Sequence, residues 1–243
     1  MKNSPITLLR LLAAFTLLLA SAHAQAPASA PAPAAQADAA KARADAQLEK
    51  NPAEWAASPA LGDSAKEARV AALIATHLIT VRDWHNAHPA STVPAGINPV
   101  TGQPLSTLDR EIIADSAMPK SVNETFLNGL RAELTPAQVE AILDEYTIGK
   151  VAFTLKGYQA IVPDLTAEEE KVITGFLKQA RLESIGFKNM KQISAIFEIY
   201  KTKSEQYLNA NGRNWKTLYK AYTNKIKAQK AAAAAEKKAA DKK

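Results

Sequence analysis

The chain has 243 residues, contains no cysteine and carries a formal net charge of +6. Without cysteine it has no disulfide, no thiolate metal site and no cysteine nucleophile, so its hydrophobic core must hold the fold together. The charge lies at the two ends: residues 1–24 carry +2 and residues 225–243 carry +5, which leaves −1 (6 − 2 − 5) for residues 25–224. The basic balance therefore belongs to the termini and not to the middle of the chain.

The N-terminal residues have the pattern of a secretory signal peptide over residues 1–24. Lys2 precedes an apolar run at 6–20, and AHA at 22–24 is a small-x-small cleavage pattern. The run is shorter than the roughly 20 apolar residues of a membrane-spanning helix. We therefore expect cleavage, no transmembrane span afterwards, and a periplasmic or extracellular location. Residues 25–50 are rich in Ala and Pro and are expected to form a linker.

Residues 51–228 predict a single, mainly all-α domain of helical-bundle type, with six or seven helices and one short β-hairpin near 151–162. Its first long helix covers residues 63–87; Asp63 or Ser64 caps that helix and Pro89 stops it. Residues 89–104 then hold four Pro and two Gly. We expect a long loop there, and loops of this length without secondary structure are usually functional or disordered.

The later elements follow from capping and turn residues. Ser106 and Ser121 are expected to cap the next two helices, at 105–117 and 121–132. LTPAQ and LTAEE each place Gln or Glu three residues after Thr, which is the pattern of a capping box. Between them, β-branched and aromatic residues flank Lys156-Gly157 and predict the hairpin. The remaining helices are expected at 167–184, at 188–209, and from Asn214 into an Ala/Lys-rich tail at 229–243.

The stretch VRDWHNAH is the strongest candidate for a functional site. On a helical wheel His77, Trp84 and His88 share the apolar face, His85 lies on its shoulder and Asp83 points away. We expect His77 to be a core histidine with a hydrogen-bond partner. The other two histidines lie where a helix C-terminus favours a cation. Alternatively they contact a ligand together with the adjacent loop, since Trp84 offers a ring face and imidazoles offer donors.

Few other residues suggest chemistry. Two histidines are too few to hold a catalytic metal, which usually has three protein ligands, so no metal and no cofactor are predicted. The chain contains no HExxH, GxSxG, P-loop or dinucleotide fingerprint, so no catalytic residue is assigned. The candidate ligand-binding residues come from the loop rim and the hairpin turn: Trp84, His85, His88, Asn98, Lys156 and Tyr158.

Several linked blocks of the sequence resemble a secreted bacterial family. They cover roughly residues 65–225 and read WHNAH followed by STVPAGINPVTG, LTPAQVEAILDEYTIGKVAF, GYQAIVPDLTAEEE, LKQAR and IFEIYKTKSEQYLNANGRNW. The family is catalogued as domain of unknown function 3826. Its members tend to occur in bacteria that degrade plant polysaccharides. The resemblance therefore implies an accessory role in glycan use and assigns no catalytic residue.

Three functions remain open from the sequence. The first is an exported accessory module that binds a carbohydrate or an envelope protein through the 84–104 rim. The second is a polysaccharide lyase or hydrolase that uses His85 and His88. The third is a periplasmic chaperone, because the LTPAQ start resembles a motif of small envelope-stress chaperones. We expect the basic Ala/Lys tail to be a solvated helical extension, since Ala and Lys are good helix formers. Alternatively it binds an anionic lipid surface or an acidic polysaccharide, and export argues against nucleic acid as the partner.

Overall fold

The computed structural model describes residues 51–240, apart from the side chains at positions 236 and 239. The predicted signal peptide at 1–24, the linker at 25–50 and the last three residues of the tail lie outside the described residues. Within 51–240 no helix is both long enough and apolar enough to cross a membrane.

The described residues are mainly helical, which confirms the all-α prediction. Nine α-helices occur within residues 51–240, and the first of them, at 51–57, was not anticipated from the sequence. In chain order they are α1 (51–57), α2 (Ser64–Ala87), α3 (Thr107–Ser116), α4 (Lys120–Glu133), α5 (Pro136–Tyr146), α6 (Lys150–Ile161), α7 (Ala167–Ser184), α8 (Met190–Ala210) and α9 (Trp215–Ala240).

Side-chain caps explain where most of these helices begin. Reciprocal capping boxes at Ser106, Thr135 and Thr166 start α3, α5 and α7, and the last two were predicted as such. Asp63 caps α2 by accepting from two backbone N–H groups, as expected. The predicted cap at Ser121 is wrong, because α4 begins one residue earlier, after Pro119.

The predicted β-hairpin at 151–162 is also wrong: these residues belong to α6. Val151, Leu155 and Tyr158 recur at helical spacing and pack into one core cluster, and that burial outweighs the β-propensity of the individual residues. Gly157 continues the helix and forms no turn. The backbone instead changes direction at Ile148 and Gly149, both at positive φ (47° and 66°), and Gly149 is the N-cap of α6.

The helices surround two hydrophobic clusters. The first lies between α1, α2, α4 and α5; the second lies between α6, α7, α8 and the start of α9. The large buried members of the first are Val70, Ile74, Phe126, Leu130, Ile142, Leu143 and Tyr146. Those of the second are Tyr158, Ile173, Leu177, Ile193, Ile196, Phe197, Tyr200 and Leu208.

Polar side chains link the helices that enclose the two clusters. Arg181 on α7, only 1% exposed, donates from Nη1 to Asp144 Oδ1 on α5 at 2.6 Å. Its Nη2 lies 2.6 Å from Glu140 Oε2 on the same helix. A buried guanidinium requires such partners, because an unpaired buried charge costs several kcal/mol. The second link runs from α2 through α3 to α8 and contains the candidate residue His85.

Candidate functional site

Trp84 and His88 form the rim of the predicted site at the end of α2. Their rings stack with centroids 3.7 Å apart and an interplanar angle of 16°. The Nδ1–H of His88 donates to the carbonyl oxygen of Trp84 at 2.9 Å, and the backbone N–H of His88 bonds to the same oxygen. His88 therefore caps the last turn of the helix, and both residues are half-exposed.

The loop after this rim is ordered by its own hydrogen bonds. Asn98 Oδ1 accepts from the backbone N–H groups of Val100 and Thr101, and its Nδ2 donates to Asp109 Oδ1 at 3.3 Å. Arg110 on α3 donates to the carbonyl oxygen of Val93 from Nε at 2.9 Å and from Nη2 at 2.6 Å. These bonds hold the loop against α3, and the amide of Asn98 shapes the turn.

His85 lies beneath the rim in a buried polar network. Its side chain is fully buried, Nδ1 contacts Asp115 Oδ1 on α3, and Nε2 lies 3.0 Å from the carbonyl oxygen of Gly186. Asp115 Oδ2 accepts from Gln192 Nε2 on α8 at 2.7 Å. Four segments therefore meet at one imidazole–carboxylate pair: α2, α3, the turn after α7, and α8.

The bonding at His85 fixes one of its ring protons. A carbonyl oxygen only accepts, so the nitrogen that faces Gly186 carries hydrogen. Nδ1 lies against the carboxylate of Asp115, and a buried carboxylate requires such a partner. Because both ring nitrogens have protein partners, His85 offers no nitrogen to a substrate.

The two candidates from the supposed hairpin lie on the helix α6. Lys156 is exposed, whereas Tyr158 is 2% exposed and packs against Trp215 with ring centroids 5.1 Å apart. The hydroxyl of Tyr158 donates to the carbonyl oxygen of Lys201 at 3.1 Å, and burial raises the pKa of this phenol. Tyr158 therefore forms part of the second core and joins α6 to α8.

A groove between α2 and α4 was not anticipated. The helices run antiparallel, because Arg69 pairs with Glu133 at one end and His77 meets Asn123 at the other. The groove has a volume of about 650 Å³. Four hydroxyl-bearing side chains line it, two from each helix: Thr76, Thr80, Ser121 and Thr125. The apolar part of the lining comes from Ala72, Leu73, Val122, Phe126, Gly129 and Ala132.

His77 forms part of the lining of this groove. Its ring stacks on Phe126 with centroids 4.2 Å apart. Nε2 lies 3.1 Å from Asn123 Oδ1 and therefore donates, while Nδ1 accepts from the hydroxyl of Tyr146 at 3.1 Å. Burial lowers the pKa of His77 to about 4, so the ring is neutral at physiological pH. The predicted core histidine with hydrogen-bond partners is confirmed.

A corner between α5 and α6 exposes two large apolar side chains. Ile148 is 70% exposed and Phe153 is 77% exposed. Ile148 also has a φ of 47°, which a β-branched residue adopts at a cost of about 1–2 kcal/mol. An exposed apolar pair on a strained corner has no role in the core, and this makes the corner a candidate contact surface.

Together these features define a class: a small helical domain with a hydroxyl-lined surface groove and a buried, fully partnered imidazole. The chain belongs to the family described as "Protein of unknown function (DUF3826)", whose sequence model matches residues 35–228. A search of the curated proteins gave no match. Over residues 51–240 no group of three or more His, Asp or Glu side chains is placed to hold a metal ion.

Asp115 and the residues that line the α2–α4 groove were not predicted from the sequence. Asp115 carried a signal, since it follows Leu108 and Ile112 at helical spacing and so puts a carboxylate on the apolar face of α3. Such a carboxylate requires a buried partner. The groove carried no comparable signal, because its lining depends on which helix pairs with α2.

Proposed function

We propose that this protein is an exported accessory module that binds a carbohydrate without chemical change, in support of polysaccharide use. The observation that carries the proposal is the α2–α4 groove, whose volume falls in the range of ligand sites. Serine and threonine hydroxyls both donate and accept hydrogen bonds, as sugar hydroxyls do. The hydroxyl of Thr80 already donates to the carbonyl oxygen of Thr76 at 2.8 Å, so it is left to accept. The leader-like N-terminus supports export, and the family resemblance supports a glycan as the ligand.

The dimensions of the groove favour an oligosaccharide over a single sugar. From Arg69 to Thr80 the helix α2 rises about 16 Å. Apolar groups such as Leu73 and Phe126 can contact the C–H face of a sugar ring, while the hydroxyls bond at its edge. The Arg69–Glu133 pair at one end supplies a charged donor and acceptor for a terminal unit.

Filling the groove tests this proposal. Ala132 lies in the groove on α4 and Ala152 lies on α6; both are exposed, so Leu at either position should leave the fold intact. We expect Ala132→Leu to weaken binding of a pectic or hemicellulosic oligosaccharide at least about tenfold, or 1.4 kcal/mol, and Ala152→Leu to leave it unchanged. Isothermal titration gives the affinities. Equal affinities for the two variants would remove the groove from consideration.

The rim predicted from the sequence stays a separate prediction. Trp84→Ala tests it in the same titration, because the stacked Trp84–His88 pair is half-exposed beside the ordered loop. If the rim is the ligand site, this substitution abolishes binding and Ala132→Leu does not. Catalysis by His85 is less favoured, since both nitrogens of that ring are engaged inside the domain.

A second candidate function, binding of unfolded clients by a periplasmic chaperone, is favoured by the exposed corner of Ile148 and Phe153. Chaperone activity predicts that the protein suppresses aggregation of an unrelated denatured enzyme. Phe153→Ser should then reduce that suppression, whereas Phe176→Ser, in the second core, would act by unfolding the domain. If the wild-type protein does not suppress aggregation, this function is excluded.

A further inference from the structure

The last helix leaves the body of the domain. Trp215 and Leu218 pack into the second core at its start, and Ile226 is the last half-buried side chain. Every described side chain from 227 to 240 is exposed. At about 1.5 Å per residue, the 26 residues of α9 form a rod of about 39 Å, of which roughly half has no tertiary contact to support it.

Six of the seven lysines of α9 lie on one side of this rod. With about 100° per residue, they fall within an arc of about 100°, and Lys225 alone lies opposite. The six are Lys216, Lys220, Lys227, Lys230, Lys237 and Lys238, which we call the lysine stripe. The packed side of the helix, marked by Trp215 and Ile226, is turned about 90° from the centre of the stripe, so the stripe faces solvent along its length.

Among the described side chains of residues 51–240, none forms an ion pair with an ammonium group of the lysine stripe. Like charges at i, i+4, as at Lys216 and Lys220, destabilise a helix. A solitary helix without tertiary packing is itself marginal in water. An anionic partner along the stripe would remove the repulsion and stabilise the rod.

The shape of the stripe favours a flat partner. A straight row of cations about 33 Å long can engage a planar anionic surface with all its charges at once. Tyr219, 51% exposed, lies at the edge of the stripe, and tyrosine is enriched where protein meets the headgroup layer. No bulky apolar side chain follows Ile226, so the helix would lie on the headgroups and would not insert. The helix α9 contains no arginine, the residue that most often recognises nucleic-acid bases through bidentate hydrogen bonds.

We infer that α9 binds the protein to an anionic lipid surface through the lysine stripe. The attraction is electrostatic: each lysine near such a surface contributes about 1 kcal/mol, or about fivefold in partitioning. Binding through α9 does not involve the α2–α4 groove. The groove can therefore bind a ligand while α9 is bound to the membrane.

Vesicle co-sedimentation of the full chain tests the inference. We expect binding to vesicles of equal parts phosphatidylglycerol and phosphatidylcholine, and none to phosphatidylcholine alone. Neutralising three stripe positions (Lys220→Gln, Lys227→Gln, Lys238→Gln) should lower the partition coefficient about 100-fold. Raising the salt concentration should also weaken binding, because exposed charges are screened within about a Debye length of 8–10 Å.

A second variant keeps the charge and moves it. Lys220→Ala with Ala221→Lys, and Lys227→Ala with Ala228→Lys, shift two lysines by about 100° around the helix without changing composition. All four positions are exposed, so the fold should survive, and circular dichroism checks this. We expect at least a fivefold loss of vesicle binding. Unchanged vesicle binding by this variant would show that the lysine stripe is not the binding surface. If the full chain bound soluble polygalacturonate but not the vesicles, the partner would not be a lipid surface.

Discussion

His77 and His85 lie two turns apart on the same buried face of α2, yet their surroundings differ in kind. His77 is neutral, stacked on Phe126 and bonded to two uncharged side chains. His85 contacts the carboxylate of Asp115 and binds a backbone carbonyl. The helix therefore sets only the burial of a histidine, while the segments packed against it decide the chemistry of the ring.

The largest effect should come from removing the carboxylate beside His85. Asp115→Ala leaves His85 and Gln192 buried without their partner, and breaking a buried pair in this way costs about 3–5 kcal/mol. Asp83→Ala is the matched control, since Asp83 is an exposed residue that pairs with Arg82 at the surface, and a surface pair contributes about 0–1 kcal/mol. Denaturant unfolding measures both. If both variants lost a similar, small amount of unfolding free energy, the buried network would not stabilise the packing of these helices.

The pH dependence of stability should report His77. Its pKa in the folded protein, about 4, lies below the ordinary value of 6.5, so between these values the unfolded chain binds more protons. The free energy of unfolding is therefore highest above pH 6.5 and falls as the pH drops towards 4, by about 3 kcal/mol from this group. His77→Gln should flatten that part of the profile. An unchanged slope in the variant would mean that His77 is not held neutral by burial.

A smaller effect should mark the close approach of α4 to α2. A Cβ atom on Gly129 would lie 2.8 Å from Leu73 Cδ2, whereas one on Gly175 in α7 meets nothing within 4 Å. Gly175→Ala should stabilise the protein by up to about 1 kcal/mol through helix propensity. Gly129→Ala should destabilise it by about 1 kcal/mol, because overpacking exceeds that gain. Thermal melts compare the two, and stabilisation by both would show that the groove tolerates a wider helix spacing.

What could be predicted from the sequence was local. The caps at Thr135 and Thr166 depend on neighbours three residues away, and the structure has both. The turn at Gly157 was predicted from equally local features and was wrong, because the packing of α6 against α7 overrides them. Local patterns fail where tertiary burial decides.

The candidate site shows the same division. Stacking of Trp84 on His88, four residues apart on one helix, follows from helical spacing. The pair of His85 with Asp115 joins residues 30 positions apart, and the α2–α4 groove depends on a pairing of helices that no single helix reveals. Periodicity therefore placed His77 and His85 at the buried side of α2 but could not supply their partners.

The proposed function depends most on the α2–α4 groove as a site for reversible binding. Amide chemical-shift mapping during titration with a pectic oligosaccharide tests this directly. We predict that the largest shifts fall on Thr76, Thr80 and Thr125, and that the oligosaccharide is recovered intact. Shifts centred on His85 and Asp115, or shortened products in the sample, would contradict the account and point to a catalyst.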